Sequence, residues 1–269
     1  MKICYLLVTC SREASRDSML RKVVESFKTQ SKFEDWKDHF YVFDNASTYG
    51  DTPTFLRENF DNVFVAEENY GYWSAVNWFC DFASKKGYEY VYILESDCVH
   101  YDIEKLDRAL SLLENDQEVG MVRASEFLLE KVHLYDKSQR HRDSRTCDWF
   151  SQFNIFSNQH AQYATTDQSS ILKTNLVAKV CGLHRVDPLK KVLNKLIEKE
   201  WFIEVDFQKH YFDLYKFNAI IDGGIYNSSP AYEPNVIAGS LVVEKVDKNG
   251  YRKTREGFVT PLGEMKVNS

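Results

Sequence analysis

Three short segments in the first hundred residues carry side chains that could do chemistry together. Glu95-Ser96-Asp97 sets two carboxylates one residue apart, directly after the apolar run Tyr90 to Leu94. Carboxylates so spaced at a strand end can turn toward one point, where a hard divalent cation with oxygen ligands would neutralise them and grip a diphosphate. A solvated strand end is the other reading of these residues. Asp44-Asn45-Ala46-Ser47-Thr48 follows a second apolar run from Phe40. An acid there can accept hydrogen bonds from a ribose or a base, although Asp and Asn also build ordinary turns by bonding their own backbone. The third segment, Glu68 to Asn77, is a loop running into a helix. Gly71 lets the backbone approach a ligand, and Asn69 and Asn77 supply amide donors near a helix N-terminus, where anionic groups are favoured. Tyr72 and Trp73 could stack on a ligand or fill the core.

These segments are useful only if the elements before them bring them together. Ile3 to Thr9, Phe40 to Asp44, Val63 to Ala66 and Tyr90 to Leu94 are apolar runs of strand length, and Val119 to Ala124 reads as a further strand. Between them lie helical patterns at Ser18 to Gln30, with Leu20, Val23, Val24 and Phe27 at helical spacing, at Tyr72 to Lys86 and at Ile103 to Asn115. Strands alternating with helices predict right-handed crossovers and an α/β, Rossmann-like, mainly parallel sheet flanked by helices. Ligands of such sheets bind beyond the carboxyl ends of the strands. Those ends are Thr9 to Arg12, Asp44 to Thr48, Ala66 to Asn69 and Glu95 to Asp97, each polar and each following an apolar run. Further on, Leu189 to Lys199 and Val205 to Phe217 read as helices. From Gly223 the chain reads as a C-terminal appendage with a β-hairpin turning at Asn249-Gly250.

Composition narrows the function. The 269 residues, 43% hydrophobic and 28% charged, exclude disorder, and 34 Lys and Arg against 40 Asp and Glu exclude a whole-surface basic footprint for nucleic acid. The six cysteines form no CxxC pair, so they read as reduced thiols rather than a zinc site or a disulfide framework. No apolar run approaches the ~18 residues of a membrane span. The N-terminal apolar stretch stops at Arg12 and Glu13 without a cleavage site, so the chain reads as a cytoplasmic protein. Lys131, Lys137, Arg140, Arg142 and Arg145 make one local basic stretch. It could hold a phosphorylated acceptor or be a solvated loop.

In order and context, the three segments resemble the nucleotide-sugar-binding half of GT-A fold glycosyltransferases, in particular family-2-like enzymes, whose counterparts are Asp-Asn-x-Ser, Asn-x-Gly-x-x-x-Ala-x-Asn and Asp-x-Asp. The Asn69, Gly71, Ala75, Asn77 frame and Asp44 to Ser47 are complete, while Glu95 stands where the family has Asp. The resemblance covers residues 1–125 and implies a domain over 1–222, with 1–125 as the donor half, 126–222 as the acceptor half and 223–269 as the appendage. It implies that Thr9, Ser11 and Arg12 line the nucleotide site and that Asp44 holds base or ribose. Asn45, Ser47, Asn69, Gly71, Tyr72, Asn77 and Ser96 would complete the donor contacts. Asp97, with Glu95, would meet a Mn or Mg ion on the diphosphate of a nucleoside-diphosphate sugar, a UDP-sugar above all.

The acceptor half matches one further family motif in part. Phe202 to Phe207 can be laid on Glu-Asp-x-Asp-Phe so that Glu204 takes the place of the base that removes the acceptor hydroxyl proton, with Asp206 behind it and Asp167 third. In the alternative reading, Glu204 and Asp206 simply favour a helix N-terminus. His184 and His210 are left out of the site, a lone histidine being more often structural. The activity so implied is metal-dependent, inverting glycosyl transfer to a hydroxyl on a glycan, a lipid-linked phosphate or a nucleic acid. A nucleotidyltransferase and an inactive binding module of the same fold are the rivals. The first usually carries a Gly-rich loop after its first strand, which Val8 to Arg16 lacks.

Overall fold

The computed structural model describes residues 2–30, 32–96, 98–100, 105–124, 164–165, 171–174, 182–197, 214–215, 217–221, 225–227 and 267–268. In its first half, strands β1 (Ile3–Thr9), β2 (Phe40–Asp44), β3 (Asn62–Ala66) and β4 (Tyr90–Glu95) alternate with helices α1 (Ala14–Lys28), α2 (Phe33–Trp36), α3 (Thr52–Asn59) and α4 (Tyr72–Lys85). There follow β5 (Cys98–His100), α5 (Lys105–Asn115), β6 (Val119–Ala124), β7 (Ala164–Thr165), β8 (Ile171–Thr174), β9 (Gly182–Arg185) and α6 (Val186–Ile197). The last described strands are β10 (Phe217–Ile221), β11 (Ile225–Asn227) and β12 (Val267–Asn268).

Among the described residues the main sheet runs β12-β3-β2-β1-β4-β9-β6-β10-β8-β7. Its core, β3-β2-β1-β4, is parallel throughout, and β9 enters antiparallel between β4 and β6. Parallel strands buried on both faces need apolar residues at successive positions, and β1 and β2 are buried along their whole length. Alternation sends Tyr5, Leu7, Phe40 and Val42 to one face, against Leu20, Val23 and Phe27 of α1 and Leu113 of α5. Leu6, Val8, Phe43, Val91 and Ile93 go to the other, against α4 and α6. The sheet is therefore α/β and covered on both sides, as the alternating pattern predicts.

One predicted helix is corrected at its end. The pattern over Val205 to Phe217 does not continue through Leu214, which stands exposed in a turn, and Phe217 opens strand β10. The run Phe217-Asn218-Ala219-Ile220-Ile221 lies between β6 and β8, where pairing on both edges favours extended backbone over a helical spacing. Residues 205–213 lie outside the described residues, as do the expected hairpin at Asn249-Gly250 and the basic stretch 131–145. No described helix is long and apolar enough to cross a membrane.

Candidate donor site at the strand tips

Because β3, β2, β1 and β4 are parallel, their carboxyl ends open on one edge of the sheet, and the residues just past β1, β2 and β3 are joined in a single hydrogen-bonded network. The Asn45 N–H donates to the Thr9 carbonyl at 2.8 Å, and the Thr48 and Tyr49 N–H groups donate to the Ser11 carbonyl at 2.9 and 3.1 Å. In return the Ser11 N–H donates to Ser47 Oγ at 2.7 Å. Asn45 spans to the third segment: its Nδ2 donates to Asn69 Oδ1 at 2.9 Å, and its Oδ1 accepts the Tyr70 N–H at 2.9 Å. Asn69 Oδ1 also accepts the Gly71 N–H at 2.8 Å, while its Nδ2 reaches Cys10 Sγ at 3.5 Å. Gly71 has φ 83°, a conformation glycine adopts without steric cost.

Thr9 and Asp44 are register neighbours on β1 and β2. By alternation with Leu7 and Val42 both face the α1 side. Asp44 is wholly buried, and its Oδ1 accepts the Ser47 N–H at 3.0 Å. Burial pushes its carboxyl above the ordinary carboxylate range, and the hydrogen bonds from Ser47 and the Arg57 charge pull it only partly back. Three buried oxygens at these tips have no hydrogen-bond partner: Thr9 Oγ1, Ser11 Oγ and Asp44 Oδ2. A buried polar atom left unpaired costs about 1–3 kcal/mol until something supplies its partner. The same holds for Ser74 Oγ and Asn77 Oδ1 in the first turns of α4.

The structure thus gathers Thr9, Ser11, Asp44, Asn45, Ser47, Asn69 and Gly71. Glu95 stands opposite Val8 at the tip of β4, half-buried, and its alternation with Val91 and Ile93 puts it on the α4 face. Ser96 follows it, half-buried in a turn, while Arg12 is exposed beside the β1 tip. Tyr72 packs edge-on against the buried Trp73, with ring centroids 5.6 Å apart. Asn77 is not joined to the network: its Nδ2 donates to Asn194 Oδ1 on α6 at 3.1 Å, in the packing between the two helices. His184 is completely buried in β9. Asp97, Asp167, Glu204, Asp206 and His210 lie outside the described residues. Among those described, no cluster of three metal-ligating side chains occurs.

Residues that sequence reasoning missed stand behind the tips. Asp17 and Arg21 of α1 hold the start of α3, the Thr52 hydroxyl donating to Asp17 Oδ1 at 2.8 Å. A signal for Asp17 was present: it lies three residues before Leu20 and seven before Val24, on the buried stripe of the helix.

No family model and no curated protein matches the sequence. Among solved structures, the chain is similar to S. aureus TarS 1-349 in complex with UDP-GlcNAc, with a TM-score of 0.50 and 16% identity over 90% of this chain and 62% of that one. The same protein in complex with UDP gives a TM-score of 0.46 and 18% identity over 88% of this chain and 64% of that one. Mannose-1-phosphate geranyltransferase from Thermus thermophilus gives a TM-score of 0.44 and 13% identity over 84% and 75%. The chain spans less than two thirds of the TarS 1-349 chain. Its fold is a GT-A-like α/β fold.

Proposed function

We propose that the chain is a glycosyltransferase that moves a sugar from a UDP-sugar to an acceptor hydroxyl. The observation that carries this reading is the set of unpartnered buried oxygens of Thr9, Ser11 and Asp44 on adjoining strand tips, fixed by the network through Asn45, Ser47 and Asn69. A uracil imide N–H matches the need of Asp44 Oδ2 for a donor, and the Thr9 and Ser11 hydroxyls can serve the flanking carbonyls or a ribose hydroxyl. Cytosine, whose ring nitrogen at that position accepts, would leave the carboxylate oxygen unmatched. The N-terminus of α4 beyond Gly71 favours the diphosphate, with Arg12, Tyr72 and Ser96 at its margins. That TarS, which shares the fold, forms a complex with UDP-GlcNAc is in keeping with this.

Mn or Mg fits the donor set offered at the β4 tip, because such ions are held by one or two carboxylates together with substrate phosphates. Glu95 and Asp97 would hold it. When bound, the ion neutralises charge developing on the departing diphosphate. The residues of the chain do the rest: Asp44 fixes the base, the tip network orients the nucleotide, and Glu204, or Asp206 in its place, takes the acceptor proton. Attack from the side opposite the leaving group inverts the anomeric centre. The acceptor half would be residues 126–222, with 223–269 as its appendage.

Calorimetric titration with UDP, CDP, UTP and UDP-sugars, each with and without Mn, tests the reading. Metal-linked binding of UDP and UDP-sugars is expected. A preference for the triphosphate would point instead to nucleotidyl transfer, and absence of any nucleotide binding to an inactive module.

A further inference from the structure

The tip loops are also held from outside, by a buried acid that touches none of the proposed donor contacts. Asp17, in the first turn of α1, is 8% exposed, and both its oxygens are engaged. Oδ1 accepts the Thr52 hydroxyl and Oδ2 the Arg21 Nε–H, each at 2.8 Å. Thr52 opens α3, so this contact joins the helix that leaves β1 to the helix that follows β2. The same hydroxyl lies 2.7 Å from the Tyr49 carbonyl, so its one proton is shared between two acceptors. From Tyr49 the path continues through its N–H to the Ser11 carbonyl, through the Ser11 N–H to Ser47 Oγ, and through the Ser47 N–H to Asp44 Oδ1. A chain of residues, each hydrogen-bonded to the next, therefore runs from Asp17 to Asp44. Arg21 adds a parallel tie by pairing with the Asp51 carboxylate and laying its guanidinium 4.2 Å from the centre of the Phe55 ring.

Within this hoop Ala46 has φ 59°, a backbone state that an alanine keeps only where its surroundings over-determine it. The Asp17–Arg21 pair is only partly buried, and such a pair adds little to stability. What the hoop does secure is the position of the loop 45–51. A binding loop ordered in advance spares the ligand the cost of ordering it.

We infer that Asp17, acting through Thr52, is a positioning residue for the donor site, fixing the 45–51 loop so that Asp44 and Ser11 stand in place before nucleotide arrives. This rests on the donor-site reading above. The test is UDP titration of the wild-type chain, Asp17→Ala, Thr52→Val, Thr52→Ser and the double variant Asp17→Ala/Thr52→Val, below each protein's melting temperature. Amide hydrogen exchange of Ser47, Thr48 and Tyr49 is followed in parallel without nucleotide.

Asp17→Ala and Thr52→Val should each weaken UDP about tenfold, with Thr52→Ser within about twofold of wild type, as for loss and retention of one buried hydrogen bond. The double variant should be no weaker than either single one, because both act through the same contact. Exchange at Thr48 and Tyr49 should quicken in Asp17→Ala and Thr52→Val but not in Thr52→Ser. Unchanged UDP affinity in Thr52→Val overturns the inference whatever the exchange shows, and the Val and Ser pair decides the matter if Asp17→Ala does not fold. Should the wild-type chain bind no UDP, the donor reading falls. The exchange data then decide alone whether Asp17 holds the loop, and unchanged rates overturn that as well.

Discussion

The two ends of the four parallel strands are built from similar materials and finished differently. At the amino end, the Tyr88 hydroxyl lies 2.8 Å from His39 Nδ1 and 3.0 Å from the Tyr41 hydroxyl. The Glu89 and Tyr90 N–H groups donate to the Lys2 carbonyl, and Asn62 Nδ2 lies within reach of the Asp38 and Phe40 carbonyls. None of the buried, unpartnered side-chain oxygens among the described residues lies there. Those of Thr9, Ser11 and Asp44 lie at the carboxyl end. Buried polar groups in native proteins are nearly all paired. The amino end closes upon itself, whereas the carboxyl end keeps a carboxylate oxygen and two hydroxyls buried and unpaired, which is the feature the proposed donor site uses.

The sharpest way to break this contrast is Asp44→Asn. The amide keeps the shape and can still accept the Ser47 N–H, but it presents N–H groups where an imide N–H must donate. UDP affinity should fall about 100-fold or more, the scale of losing a charged hydrogen bond and opposing two donors. Stability should move the other way. Burial raises the Asp44 carboxyl above its ordinary range, so the folded state favours the neutral form. Its contribution to stability is present below the unfolded-state value and is lost as pH rises through the raised folded value. At neutral pH, Asp44→Asn should therefore melt at or above the wild-type temperature in the absence of nucleotide. By the same shift, wild-type UDP affinity should begin to weaken on acidification at a pH above the ordinary carboxylate range. A variant that binds UDP like the wild type would erase the distinction between the two ends.

Tyr88→Phe sharpens the contrast from the opposite side. It removes the hydroxyl shared with His39 and Tyr41 and should cost about 1–2 kcal/mol in urea unfolding. UDP affinity should stay within about twofold, because nothing at that end awaits a ligand. Weakened UDP binding would mean that the ends are coupled through the sheet.

The same division governs what could be read from the sequence. Apolar runs gave β1 and β2 to the residue, since a strand buried on both faces writes itself as a continuous run. Gly71 marked where α4 begins. The end of the first apolar run placed Thr9 and Ser11, and two motifs placed Asp44, Asn45, Ser47, Asn69 and Gly71, at strand tips, and parallel pairing does bring those tips together. Asn77 shows the limit of motif spacing, which fixes distance along the chain but not direction. The helix turns its amide to Asn194. Helix α3 passed unread although Thr52-Pro53 is a start signal, proline being tolerated in a first turn. Strand β9 was illegible for a different reason: its place between β4 and β6 is set by partners far away in sequence, and four residues carry too little pattern to announce it.

The smallest expected effect concerns Ala46, the non-glycine residue with positive φ among the described residues, which belongs to the open end. Holding an alanine in the left-handed region costs about 1–3 kcal/mol. Glycine relieves that cost but gives up about 0.5–1 kcal/mol of backbone entropy on folding. Ala46→Gly should therefore leave urea stability unchanged or raise it, by about 0–2.5 kcal/mol, the part of the strain that glycine's entropy does not cancel. Its effect on UDP depends on what holds the loop. If the hydrogen bonds to Thr9 and Ser11 and the hold of Asp17 on Thr52 fix residues 45–51, glycine gains no freedom in the folded state and UDP affinity stays within about twofold. A stabilised variant that binds UDP several-fold more weakly would show instead that the stiffness of alanine itself keeps Asp44 in position, and that the open end is held by local strain rather than by its surroundings.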